Sequence, residues 1–174
     1  MFLKSAPAAR RRKLKLAFAS LFLLPFANAS NATQQTAPST FTVQMTVATT
    51  CIINSTSTLD FGSPGMLNAN VHSSSNLAVQ CTNSTPYNIA LDAGQNGGGS
   101  VNARKMINGS NTISYSLYTD STRSTVWGNT VGTNTLAATG NGASQSYIVY
   151  GRVPPQTTPV PGAYSDTITV VVTY

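Results

Sequence analysis

The chain has 174 residues, enough for one domain, and its net charge of +6 invites a nucleic-acid reading. The charges are in the wrong place for one. Lys4, Arg10, Arg11, Arg12, Lys13 and Lys15 all precede residue 16. The rest of the chain carries four bases (Arg104, Lys105, Arg123, Arg152) against four acids (Asp60, Asp92, Asp120, Asp166), so no electrostatic footprint for nucleic acid is present.

The basic leader is followed by an apolar run, LAFASLFLLPF at 16–26, and by Ala27-Asn28-Ala29, the small-x-small pattern of a cleavage site. Together these predict a secretory signal peptide over 1–29, the apolar run being too short for a comfortable membrane span. Cleavage after Ala29 leaves 145 of the 174 residues, with a net charge of zero. Typical domains are about 25% charged, so this one is unusually poor in charge and lacks the repulsion that keeps proteins apart. Either a Thr/Ser/Asn-rich secreted β protein or a subunit meant to associate fits that composition.

Residues 30–48 are read as a polar extension ending in a strand. SNATQQTAPST carries no large apolar residue; then Phe41, Val43, Met45 and Val47 alternate with Thr42, Gln44 and Thr46. Strict alternation predicts a strand with one buried face. The strand follows a polar leader, and the sequence leaves open whether its buried face belongs in its own domain or in a neighbour's; it is read here as a neighbour's. Cys51 and Cys81 are an even pair in an exported chain and predict a disulfide, closing a loop worth roughly 3–4 kcal/mol in chain entropy. With His72 the only histidine and no CxxC pair, no metal site is expected.

Beyond Cys51, TLDFG at 58–62 predicts a short strand closed by a Gly-Ser-Pro-Gly turn, and 68–75 a polar loop holding His72. Leu77, Val79 and Cys81 predict one buried strand face; Tyr87, Ile89 and Leu91 predict another. The Gly-rich 94–100 reads as flexible loop. A weaker strand over 101–107 leads into Asn108-Gly109, a tight hairpin signal. Residues 112–119 alternate Ile113, Tyr115 and Leu117; 129–142 read as loop; 145–153 form a strand rich in β-formers. The chain ends in a predicted strand over 163–174, with Ile168, Val170, Val172 and Tyr174 on one face and nothing after it to cover its edge. With no amphipathic helix in the mature part, these short strands and turns predict an all-β sandwich.

Catalytic chemistry finds no support. A hydrolytic triad would need His72, which reads as a solvated loop histidine, and each aspartate has a turn or cap position. The GGG run lacks the context of a phosphate loop. No cofactor and no enzymatic activity are expected. Trp127 reads as core, with sugar stacking as the sharper alternative.

Several pieces, in order, resemble a known family: Thr49-Thr50-Cys51, Leu59-Asp60-Phe61-Gly62, LAVQC at 77–81, YSLYTD at 115–120, Val126-Trp127-Gly128, VYGRVP at 149–154 and PGAYSDTITV at 161–170. Across nearly all of 51–174 the chain is similar to the spore coat U domain proteins, pilin-like subunits of archaic chaperone–usher fimbriae. The resemblance implies an immunoglobulin-like sandwich over 49–174 that lacks its final strand. It also implies polymerisation by donor-strand exchange with identical or related subunits, a periplasmic chaperone that lends a strand, and an outer-membrane usher. It makes Phe41, Val43, Met45 and Val47 donor residues, Cys51–Cys81 the family disulfide, and Ile168, Val170, Val172 and Tyr174 the strand a chaperone contacts, with the Tyr174 carboxylate as its anchor. The expected function is a fimbrial subunit, periplasmic in transit and then at the cell surface, serving adhesion and biofilm formation. A single-domain adhesin binding a surface or glycan, and a coat protein of resistant cells, are the alternatives.

Overall fold

A computed structural model describes residues 33–174; the expected signal peptide at 1–29 lies outside the described residues. Residues 33–50 form neither helix nor strand. After them come nine strands: β1 (Cys51–Thr56), β2 (Val71–Cys81), β3 (Pro86–Leu91), β4 (Lys105–Asn108), β5 (Asn111–Ser114), β6 (Ser116–Tyr118), β7 (Leu136–Thr139), β8 (Ser144–Val153) and β9 (Val170–Thr173). No helix occurs among the described residues, and every strand pair is antiparallel.

The strands form a four-stranded sheet, β1-β2-β8-β6, a three-stranded sheet, β7-β3-β9, and the hairpin β4-β5. The alternation seen in the sequence explains the layers. Leu77 and Val79 of β2, Leu117 of β6 and Val149 of β8 face Tyr87, Ile89 and Leu91 of β3, and all are buried in one core with Trp127. Side chains of period two on each sheet place one apolar row toward the other sheet. The Trp127 indole is fully buried and donates Nε1–H to the Ile89 carbonyl at 2.8 Å, which satisfies its one polar atom. Trp127 is therefore a core residue, and no sugar ring can stack on it. The disulfide joins Cys51 at the start of β1 to Cys81 at the end of β2, where the two are directly paired.

Several expected elements differ. The 68–75 loop is instead half of β2: Val71 to Gln80 pair without a break against Val153 to Ser144 of β8, so His72 lies on a strand. The ladder supplies order that VHSSSN does not signal in sequence. Residues 58–62 are not a strand, because Asp60 Oδ1 accepts the Gly62 amide at 2.8 Å and curls the chain into a turn. Residues 112–119 split into β5 and β6, which belong to different sheets. A short strand, β7, lies inside the expected 129–142 loop, and the terminal strand shrinks to β9. The expected strand at 41–47 is likewise absent from the chain on its own.

Candidate functional site: an open strand edge beside an apolar cleft

β9 is an edge strand. Val170, Val171, Val172 and Thr173 pair with Leu91, Ala90, Ile89 and Asn88 of β3, while β7 takes the far side of β3. A cleft of about 380 Å³ opens between residues 57–61, which follow β1, and residues 164–170, which lead into β9. Its floor is core: Leu91, Leu117 and Val149, with Met106 and Tyr115 beside them. A second hollow of about 630 Å³ shares Leu59, Phe61, Met106 and Tyr164 with the first and runs on toward Leu67 and Val153. An edge strand next to exposed core is what a further strand can both pair with and cover. Gly151 keeps this region passable for the chain, since a Cβ there would meet Leu59 and Phe61 at 2.8 Å.

The residues singled out from sequence fall into three groups. Ile168 and Val170 line the cleft, and Val172 packs half-buried against the core. Tyr174 does not join that face; it is 58% exposed. Phe41, Val43, Met45 and Val47 are exposed by 88, 82, 86 and 72%. Cys51 and Cys81 form the expected bond.

A polar cluster, not foreseen, fixes the chain entering β9. Arg104 is fully buried. Its Nε donates to the Asp92 carbonyl at 2.8 Å, and its Nη2 donates to the carbonyls of Leu91 at 2.9 Å, Asp92 at 2.6 Å and Trp127 at 2.9 Å. Nη1 is the one buried side-chain polar atom without a partner among the described residues. Asp92 Oδ1 accepts the Gly94 and Thr169 amides, both at 2.9 Å. Burial would raise this carboxyl, but hydrogen bonds from Thr169 and Gly94, with Arg104 nearby, more than offset it and hold Asp92 below its ordinary value. Asp166 accepts the Tyr115 hydroxyl at 2.6 Å and the Gln95 amide at 3.0 Å. Burial, and then Asp166, push the Tyr115 phenol well up, so it stays a donor at neutral pH. The D-x-G turns at Asp60 and Asp92 were legible as turn positions, but the burial of Arg104 was not. Its signal is scarcity: in a domain with so few charges, each one is a candidate for a specific structural role.

Among the described residues no group of three or more His, Cys, Asp or Glu is placed to hold a metal.

The fold and cleft define an all-β, disulfide-linked sandwich whose edge strand β9 lies beside an apolar cleft. The chain belongs to the spore coat protein U domain family, whose model matches residues 37–171. It is 35% identical over 129 residues to "Protein U" of Myxococcus xanthus, covering 67% of this chain and 72% of that protein. It is also similar to a chain in the crystal structure of the CsuC–CsuE chaperone–tip adhesion subunit pre-assembly complex from archaic chaperone–usher Csu pili of Acinetobacter baumannii. That match has a TM-score of 0.51 at 29% identity and covers 74% of this chain, which spans 40% of the solved chain.

Proposed function

We propose that this protein is an exported structural subunit of a chaperone–usher fimbria that polymerises by donor-strand exchange. The observation that carries this reading is a complementary pair in one chain: an open β9 edge beside an apolar cleft, and a row of four exposed apolar side chains at strand spacing. A neighbour's residues 41–47 enter the cleft as a strand, pair with the free edge of β9, and bury Phe41, Val43, Met45 and Val47 against Leu91, Leu117 and Val149. Four such side chains contribute roughly 6–12 kcal/mol gross, before the cost of ordering the segment. Until that exchange a periplasmic chaperone covers the cleft, contacting Ile168, Val170 and Val172, and an outer-membrane usher receives the subunit. The sandwich over 49–174 is then an immunoglobulin-like domain lacking its last strand, with 30–48 as donor extension and 1–29 as signal peptide, and the assembled fimbria serves adhesion and biofilm formation.

Three chains test it by size-exclusion chromatography and thermal unfolding: the full mature chain, a deletion of 30–48, and that deletion with residues 40–48 grafted after Tyr174 through a flexible linker. The proposal expects concentration-dependent polymers, a chaperone-dependent domain, and a stable monomer, in that order. A monomeric full chain with a cooperative transition at high dilution, unchanged by the graft, refutes it. The family's description favours a second reading, a coat protein of resistant cells built by the same exchange. A chaperone gene and an usher gene beside this one favour the fimbria.

A further inference from the structure

The outward face of the four-stranded sheet has no part in the cleft. Along β2 it presents His72, Ser74, Asn76 and Gln80; along β8, in register, Arg152, Tyr150, Ile148 and Ser144. Arg152 stands between His72 on one side and Ser116 of β6 on the other. Its guanidinium lies 4.8 Å from the centre of the Tyr118 ring, and its Nη2 donates to the hydroxyl of Tyr118. Arg123, from the turn after β6, lies 5.7 Å from the centre of the neighbouring Tyr150 ring. Its Nε donates to the Gly151 carbonyl at 3.0 Å, its Nη1 to the Ser121 carbonyl at 2.9 Å and its Nη2 to the Ser73 carbonyl at 3.4 Å. Every acceptor of these two guanidiniums is a carbonyl or hydroxyl oxygen. Asp120, three residues before Arg123, spends its carboxylate on Thr122, Ser124 and Thr125. Two arginines out of a mature complement of four bases thus share one face, each braced on a tyrosine and neither paired to an acid.

Such bracing holds a guanidinium flat and oriented before a ligand arrives, and its planar fork suits carboxylate or sulfate. From His72 to Gln80 the strip runs about 27 Å at about 3.3 Å per residue, lined largely by uncharged hydrogen-bonding side chains. The large exposed apolar side chains on this face are Ile148 of β8 and Ile52 of β1, opposite Gln80, too few for the apolar centre of a protein interface. Two cations would release too few counterions to hold nucleic acid, with a salt slope of only about −2. We propose that this face binds an acidic polysaccharide: Arg123 and Arg152 take its carboxylates or sulfates, and the Ser, Asn and Gln side chains of β2 and β8 take its hydroxyls. The proposal holds whether or not the subunit polymerises by strand exchange.

The test is binding of the full mature chain to immobilised polygalacturonate at low salt. Dextran serves as the neutral sugar polymer, and a single-stranded oligonucleotide and anionic phosphatidylglycerol vesicles serve as other polyanions. Arg152→Gln and Arg123→Gln should each weaken polygalacturonate binding about tenfold, the scale of one charge-assisted contact. Lys105→Gln removes an equal charge from exposed β4 and should change binding less than twofold. His72→Asp, at an exposed position of β2, keeps the test open if an arginine variant misfolds, and should abolish retention. No retention of the unaltered chain, equal retention on dextran, or equal losses from Lys105→Gln and Arg152→Gln would overturn the proposal. Oligonucleotide or vesicle binding as tight as polygalacturonate and equally sensitive to Arg152 would overturn it too.

Discussion

Replacing Arg104 with Met keeps the length and apolar stem of the side chain and removes its charge and donors. The carbonyls of Leu91, Asp92 and Trp127 lose their guanidinium donor, and Leu91 and Trp127 lie inside the core. Each buried polar group left unpaired costs about 1–3 kcal/mol. Asp92 and Asp166 also lose the Arg104 charge that acts on them. Against this stands the desolvation cost of the buried arginine, which the variant no longer bears. Breaking one side of a buried ionic network typically costs about 3–5 kcal/mol in net terms, a large part of a total stability of about 5–15 kcal/mol. With a urea m-value of about 2 kcal/mol/M, the unfolding midpoint of the self-complemented monomer, in which residues 40–48 follow Tyr174, should fall by roughly 2 M at unchanged m. A midpoint within about 0.5 M of the unaltered chain would refute the claim that this arginine ties the end of β3 to the Trp127 backbone.

Other outcomes rest on the same geometry. Replacing Cys51 and Cys81 with Ser should cost about 2–5 kcal/mol and lower the yield of exported protein, read by unfolding and by quantitative blot. Val172→Asp should prevent accumulation in the periplasm, because Val172 packs against the core opposite Ile89 and an unpaired charge there is prohibitive; normal levels with normal chaperone co-purification would contradict this. Gly94 has φ +73°, and a Cβ there would collide with the Asp166 carboxylate, so Gly94→Ala should cost more than about 1 kcal/mol by chemical denaturation. Asp92 is held below its ordinary value, so its contribution is fully present above the usual carboxylate range of about 4 and disappears as pH falls through its lowered folded value. Thermal midpoints taken from pH 6 down to pH 2 should therefore drop less steeply for Asp92→Asn than for the unaltered chain.

The strands that face the core were legible where apolar residues alternate. Leu77/Val79/Cys81 and Tyr87/Ile89/Leu91 are buried as their period requires, and 145–153 is the core of β8. What sequence missed depends on partners distant in the chain. The first half of β2 is Ser- and His-rich and is a strand only because β8 runs beside it for ten residue pairs. β7 is built of Leu, Ala and Thr and is defined by pairing with β3. The terminal strand is shorter than its alternation suggests because residues 165–169 bond outward, Ser165 to Ile107 and Thr169 to Asp92, and not along β3 alone. An uncovered last strand was expected and β9 is an edge strand, but the cleft beside it was not foreseen, and residues 58–62 on its far wall were expected to be a strand and are not one. The paired arginines on Tyr118 and Tyr150 belong to strands and a turn far apart in sequence, so no local pattern could reveal them.

Insertion of residues 41–47 into a neighbour is tested most directly by photo-crosslinking from position 41. Replacing Phe41 with benzoylphenylalanine keeps an aromatic at the head of the apolar row, and mixing isotopically heavy and light chains before assembly marks which molecule each end of a crosslink belongs to. Strand exchange predicts mixed heavy–light crosslinks whose far ends map to residues 57–61 or 164–170, the two walls of the cleft. Crosslinks confined to single molecules, or mixed crosslinks that avoid both walls, would contradict it.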